Sequence, residues 1–353
     1  MATFIDLSSD TATRPSEGMR QFMLRAPLGD EQKLEDPTVN ALQERVAALL
    51  GKEQAWYLPS ATMANEIAVK VHTKPGDEIV IDRTAHIVNA EAGGPAFLSG
   101  VMVYPINGER GIFTGRDVDE AIRKDDPHCQ PTRLVSVEQT SNGGGGTVWP
   151  LARLREVSEA ARRHNLRTHI DGARLMNAVV ASGVPAHEQA KGYDSVTFCL
   201  TKGLGCPVGA LVAGDREFAK EARRYKHLFG GAMRQAGIIA AAGLYALDHN
   251  VDRLVEDHAN AKILARGLAE IPGIRVDVDH VETNLVFFDV TGLRMTAPEV
   301  AKRLADAGVR MGAASKTRIR AVAHLDVSRA DVERAVSIAQ ATLGKVKAGA
   351  PGD

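Results

Sequence analysis

Through roughly the first 250 residues, short apolar runs alternate with segments whose apolar positions recur every three or four residues, with glycine or proline between them. The runs at 54–58, 78–82, 101–104, 134–137, 168–170 and 194–200 predict strands. The periodic segments at 41–50, closed by Gly51, and at 62–71 and 151–164 predict helices. This alternation predicts a largely parallel sheet covered by helices on both faces. Beyond about residue 248 the pattern changes. Helices at 251–269 and 297–307 enclose strands at 275–278 and 284–288, and a strand and helix follow within 318–343, as in a smaller α+β unit. The expected organisation is an N-terminal segment plus large α/β domain over 1–248, a small C-terminal domain over 249–345, and a disordered tail over 346–353. No internal repeat is visible.

Composition narrows the class. A chain of 353 residues can bury a large core, and 43 Lys+Arg against 44 Asp+Glu leave a formal charge of −1. Nothing in that balance suggests a nucleic acid or an anionic membrane as partner. Cys129, Cys199 and Cys206 are odd in number and lack zinc-ligand spacing, which points to a reducing compartment and no metal. The start, Met1 to Asp6, lacks the basic and apolar regions of a signal peptide. The longest apolar stretch, 236–247, has 12 residues, including two glycines, and reads as a buried helix. A cytoplasmic protein is expected.

Open parallel sheets bind ligands beyond the carboxyl ends of their strands, so the polar residues there carry the candidate chemistry. Lys202, in Thr201-Lys202-Gly203-Leu204-Gly205, follows the strand at 194–200. Burial there would disfavour its charged form and lower its pKa, as imine chemistry with an aldehyde requires; alternatively it snorkels to solvent. Ser60, Ala61 and Thr62 open a helix, where free N–H groups make a phosphate cradle or, more plainly, an ordinary capped start. Asp171 just past a strand is either a cap or the carboxylate that keeps a pyridine nitrogen protonated. His169, two residues earlier on the same face, could orient Asp171 or be a satisfied core histidine. His86 could stack on a flat ring or act as a base. Arg234 and Arg320 suit phosphate and carboxylate, or are solvated surface charges. Taken together, an aldehyde-trapping lysine, a pyridinium carboxylate, a phosphate cradle and carboxylate-binding arginines fit pyridoxal phosphate.

The order of motifs also resembles a known family. Asp6 to Thr13, Glu35 to Asn40, Ser60 to Asn65, His86 with Glu91 to Gly94, Asp171 to Arg174, Thr201 to Pro207 and Gly230 to Gly237 are similar to the low-specificity L-threonine aldolases. These are fold-type-I pyridoxal-phosphate enzymes related to the β-eliminating lyases. The resemblance spans nearly the whole chain. It implies that Lys202 forms the imine with the cofactor, Thr201 and Asp171 help bind it, and His86 stacks on its ring. It further implies that Ser60, Ala61 and Thr62 hold the phosphate with Arg234 from a neighbouring subunit, and that Ser9, Arg174 and Arg320 bind the substrate α-carboxylate. A homotetramer, as a dimer of dimers, follows from the same resemblance. So does the activity: cleavage of a β-hydroxy-α-amino acid to glycine and an aldehyde. The alternatives on this scaffold are a β-eliminating lyase or an aminotransferase. A non-catalytic binding protein would be expected to lack Lys202 or Asp171.

The chain departs from the family pattern at Ser8, usually arginine, and at Gln32-Lys33-Leu34, often Val-Tyr-Gly. It departs again at Ser141, where the family frequently has histidine, and at His227, where some members place a lysine; Ala61 for glycine is minor. Lys33 and Ser141 are therefore expected to reshape the substrate pocket for a larger or more polar β-substituent, although Lys33 could equally point to solvent.

Overall fold

The computed structural model describes residues 4–344, so the expected disordered tail lies outside the described residues. Seven strands form the main sheet: β2 (Gln54–Leu58), β3 (Glu78–Asp82), β4 (Met102–Ile106), β5 (Thr132–Glu138), β6 (Arg167–Gly172), β7 (Ser195–Cys199) and β8 (Ala210–Gly214). Their order is β2-β8-β7-β6-β5-β3-β4. Only β8 runs against the rest, because it pairs antiparallel with both β2 and β7. The strand β8 was not anticipated; its run of small and apolar residues follows a glycine-rich turn and has no periodic helix before it.

Helix boundaries follow local chemistry. Helix Pro37–Leu50 begins four residues earlier than its periodicity suggests, because Asp36 accepts hydrogen bonds from Thr38 N and Val39 N and proline occupies the first turn. It ends at Gly51 with φ 62°, a left-handed cap that glycine adopts without strain. Helix Gly237–His249 corrects the expectation of full burial. It packs its small face, including Ala240 and Gly243, onto Leu42 and Leu200, while Ile238 on the other face is 41% exposed.

A second, four-stranded antiparallel sheet has the order β12-β13-β10-β9, with β9 (Arg275–Val276), β10 (Leu285–Asp289), β12 (Gly312–Ala313) and β13 (Arg318–Val322). Helices Leu254–Ala269, Ala297–Asp306 and Arg329–Leu343 pack on it. The N-terminus joins this smaller core: β1 (Ile5–Asp6) pairs parallel with β11 (Val309–Arg310), and Ile5 and Leu7 are buried in its apolar cluster. Residues 5–7 therefore pack with the C-terminal unit and not with the large one expected over 1–248.

Alternation along the central strands sets up the site. Val135, Val137, Ile170, Val196 and Phe198 point into the main apolar core. Ser136, Glu138, His169, Asp171, Ser195 and Thr197 occupy the alternate positions. Register places His169 between Ser136 and Ser195, and Asp171 between Glu138 and Thr197. One face of three neighbouring strands is thus polar yet buried, so every group on it needs a partner. Helix Ala61–His72 covers this face with Asn65 and His72.

Candidate active site

Asn65 joins the polar face to the strand ends. Its Nδ2 donates to Asp171 Oδ2 at 3.0 Å and to Glu91 Oε1 at 2.8 Å, and its Oδ1 lies 3.2 Å from His169 Nε2. His169 Nδ1 lies 2.8 Å from Ser195 Oγ, which is 2.7 Å from His72 Nε2. Burial pushes His169 down to about 3 and His72 to about 4, so both are neutral. The donors then order themselves: His72 Nε2–H to Ser195 Oγ, Ser195 O–H to His169 Nδ1, and His169 Nε2–H to Asn65 Oδ1. His169 does not touch Asp171 directly, as its place two residues away had suggested. Side chains two apart on a strand stand parallel, and the hydrogen bond passes through Asn65 instead.

Asp171 is 2% exposed and also accepts from Ala173 N at 3.1 Å. Among the described residues no lysine, arginine or histidine forms an ion pair with it, so it is a buried carboxylate held by neutral donors only. His86, at the start of helix His86–Asn89, presents Nδ1 to Glu91 Oε1 at 2.7 Å. That hydrogen bond raises the His86 pKa against the opposing effect of burial, with Asp171, Glu91 and Glu138 adding negative potential.

Lys202 follows β7 in a turn closed by Gly205 N on Lys202 O at 2.8 Å, and its Nζ lies 3.6 Å from Cys199 Sγ. The expected depression of its pKa is not found. Burial does push the amine down, but negative potential from Cys199, Asp10 and Asp171 outweighs both burial and Arg174, and the net shift is upward. Thr201 Oγ1 lies 3.4 Å from the same sulfur.

The arginines form a second cluster. Arg174, 5% exposed, pairs bidentately with Asp10, through Nε at 2.7 Å and Nη2 at 2.9 Å. Its Nη1 donates to Asn142 Oδ1 at 3.2 Å, and Arg320 Nη1 donates to the same oxygen at 3.3 Å. Arg320 Nη2 reaches Ser8 O at 3.3 Å. Arg320 therefore keeps most of its donors for a ligand, whereas Arg174 is largely committed. Asp10 and Asn142, to which spacing assigned no role, hold this cluster together. Their signal was position: both are polar residues within motifs at chain crossings.

Other expected residues sit differently. Ser60 caps helix Ala61–His72 by accepting from Met63 N at 3.1 Å, leaving the amides of Ala61 and Thr62 at its start. Gly231 packs against Met63, which brings the 230–236 loop beside that helix start. Arg234 itself pairs with Asp30 at 3.0 Å. Ser9 accepts from Thr11 N as a cap. Lys33 is exposed at the end of the turn Glu31–Lys33 and joins none of these contacts. Ser141 is turned into its loop: its Oγ accepts from Gly144 N at 3.1 Å, packed against Gly111, and its neighbour Asn142 faces the arginines. Lys226, next to His227, is buried in an ion pair with Glu31.

Comparison with known proteins agrees with this layout. The family model described as β-eliminating lyase matches residues 6–291. A low-specificity L-threonine aldolase of Escherichia coli K12 is 44% identical over 326 residues, covering 92% of this chain and 95% of the relative. Low-specificity L-threonine aldolase 1 of Arabidopsis thaliana is 40% identical over 344 residues, 96% of either chain. A solved structure of a threonine aldolase from Leishmania major superposes with a TM-score of 0.81 over 96% of this chain and 99% of that one, at 19% identity, which shows the shared fold. With a reversed strand in an otherwise parallel sheet, a lysine turn after β7 and these relatives, the chain belongs to the β-eliminating lyase family and, within it, to the low-specificity L-threonine aldolases.

Proposed function

We propose that this chain is a pyridoxal-phosphate-dependent aldolase that cleaves L-threonine, L-allo-threonine and related β-hydroxy-α-amino acids to glycine and an aldehyde. The observation that carries the reading is Asp171, a buried carboxylate with no cation of its own among the described residues, on the same sheet edge as Lys202. A pyridinium N–H is the partner such a carboxylate lacks, so the donor set fits the cofactor. Lys202 would hold its aldehyde carbon, with Thr201 beside it, and His86 would stack on the ring. The amides at Ser60, Ala61 and Thr62 would hold its phosphate. Arg234 would complete the phosphate site from a neighbouring subunit, which makes an obligatory dimer, and a homotetramer of two such dimers, part of the proposal. A cytoplasmic setting accords with three free thiols.

Pyridoxal phosphate, when bound, supplies the electron sink for the pair left on Cα when the Cα–Cβ bond breaks. The protein's own contribution is positioning. Arg320, steadied by Asn142 and the Arg174–Asp10 pair, would bind the substrate α-carboxylate together with Ser9 and so fix the orientation of the bonds at Cα. The β-hydroxyl proton passes to a base, the aldehyde leaves, and a proton returned to Cα gives glycine. His86 Nε2 or an ordered water serves as that base; Nδ1 is already given to Glu91. Lys33, exposed and outside these contacts, accords with the alternative that it points to solvent.

An amino-acid panel of threonine, allo-threonine, phenylserine and hydroxyaspartate, with glycine and aldehyde detection, tests the reading. Glycine plus aldehyde supports it, and Lys202→Ala should abolish both. Ammonia with a keto acid would instead identify elimination, and a requirement for a keto-acid co-substrate an aminotransferase. Purified protein with no bound pyridoxal phosphate, by absorbance and mass spectrometry, would refute the cofactor.

A further inference from the structure

Among the described residues, three buried carboxylate oxygens near His86 have no hydrogen-bond partner: both oxygens of Glu66 and Oε2 of Glu91. Glu66 is 3% exposed and Glu91 4%, and the two carboxyls lie within hydrogen-bonding reach of one another. Glycine at position 94 makes room for this approach, since a Cβ there would overlap Glu66 Oε1. Glu91 Oε1 is already used twice, by His86 Nδ1 and Asn65 Nδ2. Two ionised carboxylates in contact, buried and short of donors, repel each other and leave orphaned acceptors. One proton placed between them removes the repulsion and pairs Glu91 Oε2 with one Glu66 oxygen, leaving only the other, now uncharged, Glu66 oxygen without a donor.

We propose that Glu66 is a protonated acid that donates to Glu91 Oε2, and that this proton-sharing pair is the positioning device that keeps Glu91 anionic towards His86. Glu66 and Glu91 are then positioning residues acting through His86. Burial, with Glu91 beside it, pushes Glu66 up to about 8, so the acid form holds at neutral pH. Burial and then Asp171 push Glu91 up as well, but its hydrogen bonds from His86 and Asn65 oppose that rise, whereas Glu66 has no such donors among the described residues. Facing His86 are Glu91, Asp171 and Glu138, and burial pushes Glu138 up to about 8 as well. Near pH 7 the neutral forms of Glu66 and Glu138 leave Glu91 as the carboxylate that faces His86. Without the proton on Glu66, Glu91 would itself be driven to protonate and the His86 Nδ1–H would lose its anion. The shared proton is a property of the chain alone, while the use made of His86 rests on the aldolase reading.

The test is infrared and histidine-NMR titration of the holoenzyme. Wild-type protein should show protonated-carboxyl absorption at pH 7 that disappears at alkaline pH, and Glu66→Gln should lose part of it. Because glutamine is neutral and can donate to Glu91 Oε2, Glu66→Gln should leave the His86 midpoint unchanged. Glu91→Gln should lower the His86 midpoint by about one pH unit or more. Absence of protonated carboxyl in the wild type at pH 7 would overturn the proposal, and this readout stands even where Glu66→Gln does not fold. So would a Glu66→Gln shift of His86 as large as that of Glu91→Gln. Failure of the aldolase reading would look different: no glycine from the wild type, with both spectra as expected.

Discussion

Replacing Asp10 by asparagine removes a charge while keeping the volume, at a point where three parts of the chain meet. Asp10 lies in the N-terminal segment, Arg174 just after β6, and Asn284 just before β10. The carboxylate is fully buried and accepts Arg174 at 2.7 and 2.9 Å and Asn284 Nδ2 at 3.1 Å. Burial alone would raise its pKa, but the Arg174 pair, aided by Lys202 and Asn284, holds it at about 2 against an ordinary 3.8. That gap is on the order of 2 kcal/mol, present above pH 3.8 and lost as pH falls towards about 2. Asp10→Asn should cost more, about 3–5 kcal/mol at pH 7, because Arg174 is left buried without its counter-charge. The new amide N–H2 would also face guanidinium donors. Urea unfolding of wild type and variant, at one protein concentration and saturating cofactor, gives the difference. A loss below about 1 kcal/mol, as for an exposed ion pair, would refute the argument.

Three further outcomes follow from the same geometry. Asn142→Ala removes the acceptor shared by Arg174 and Arg320, and should raise KM for threonine by about tenfold or more with kcat little changed; an equal loss in kcat would place Asn142 elsewhere in the reaction. Lys202 is held above the ordinary lysine value, so the rate at which cofactor-free protein captures pyridoxal phosphate should climb about tenfold per pH unit between about pH 7 and 9 from the lysine alone; a flat profile would show that its proton is not the barrier. His72 and His169 are depressed histidines, so their contribution to stability is present above pH 6.5 and lost as pH falls towards about 4 and 3; a melting temperature unchanged from pH 7 to 5 would contradict their burial as neutral groups.

Legibility differed by the kind of signal. His169 and Asp171 share a face because strand alternation is local, and the sequence showed it. Their connection through Asn65 was not legible, since Asn65 arrives from a helix about a hundred residues earlier in the chain. The upward shift of Lys202 was hidden for the same reason: burial can be read from an apolar run, but Asp10 and Asp171 reach the amine only through the fold. Ser141 was placed in the pocket by comparison of a triplet. The backbone bridge between Ser141 and Thr147 turns its hydroxyl inward and gives Asn142 the outward position.

What the chain determined by itself was therefore everything that depends on near neighbours or on motif order: the alternating elements, the helix caps, the smaller C-terminal unit, the lysine turn and the family. The tertiary structure decided which charges face which. It added the reversed β8, drew the N-terminal strand into the C-terminal core, committed Arg174 to Asp10, and set Glu66 against Glu91. The physical reason is range. Periodicity and capping act over a few residues, whereas hydrogen bonding and ion pairing at this site join groups up to 312 positions apart, brought together only when the two cores close.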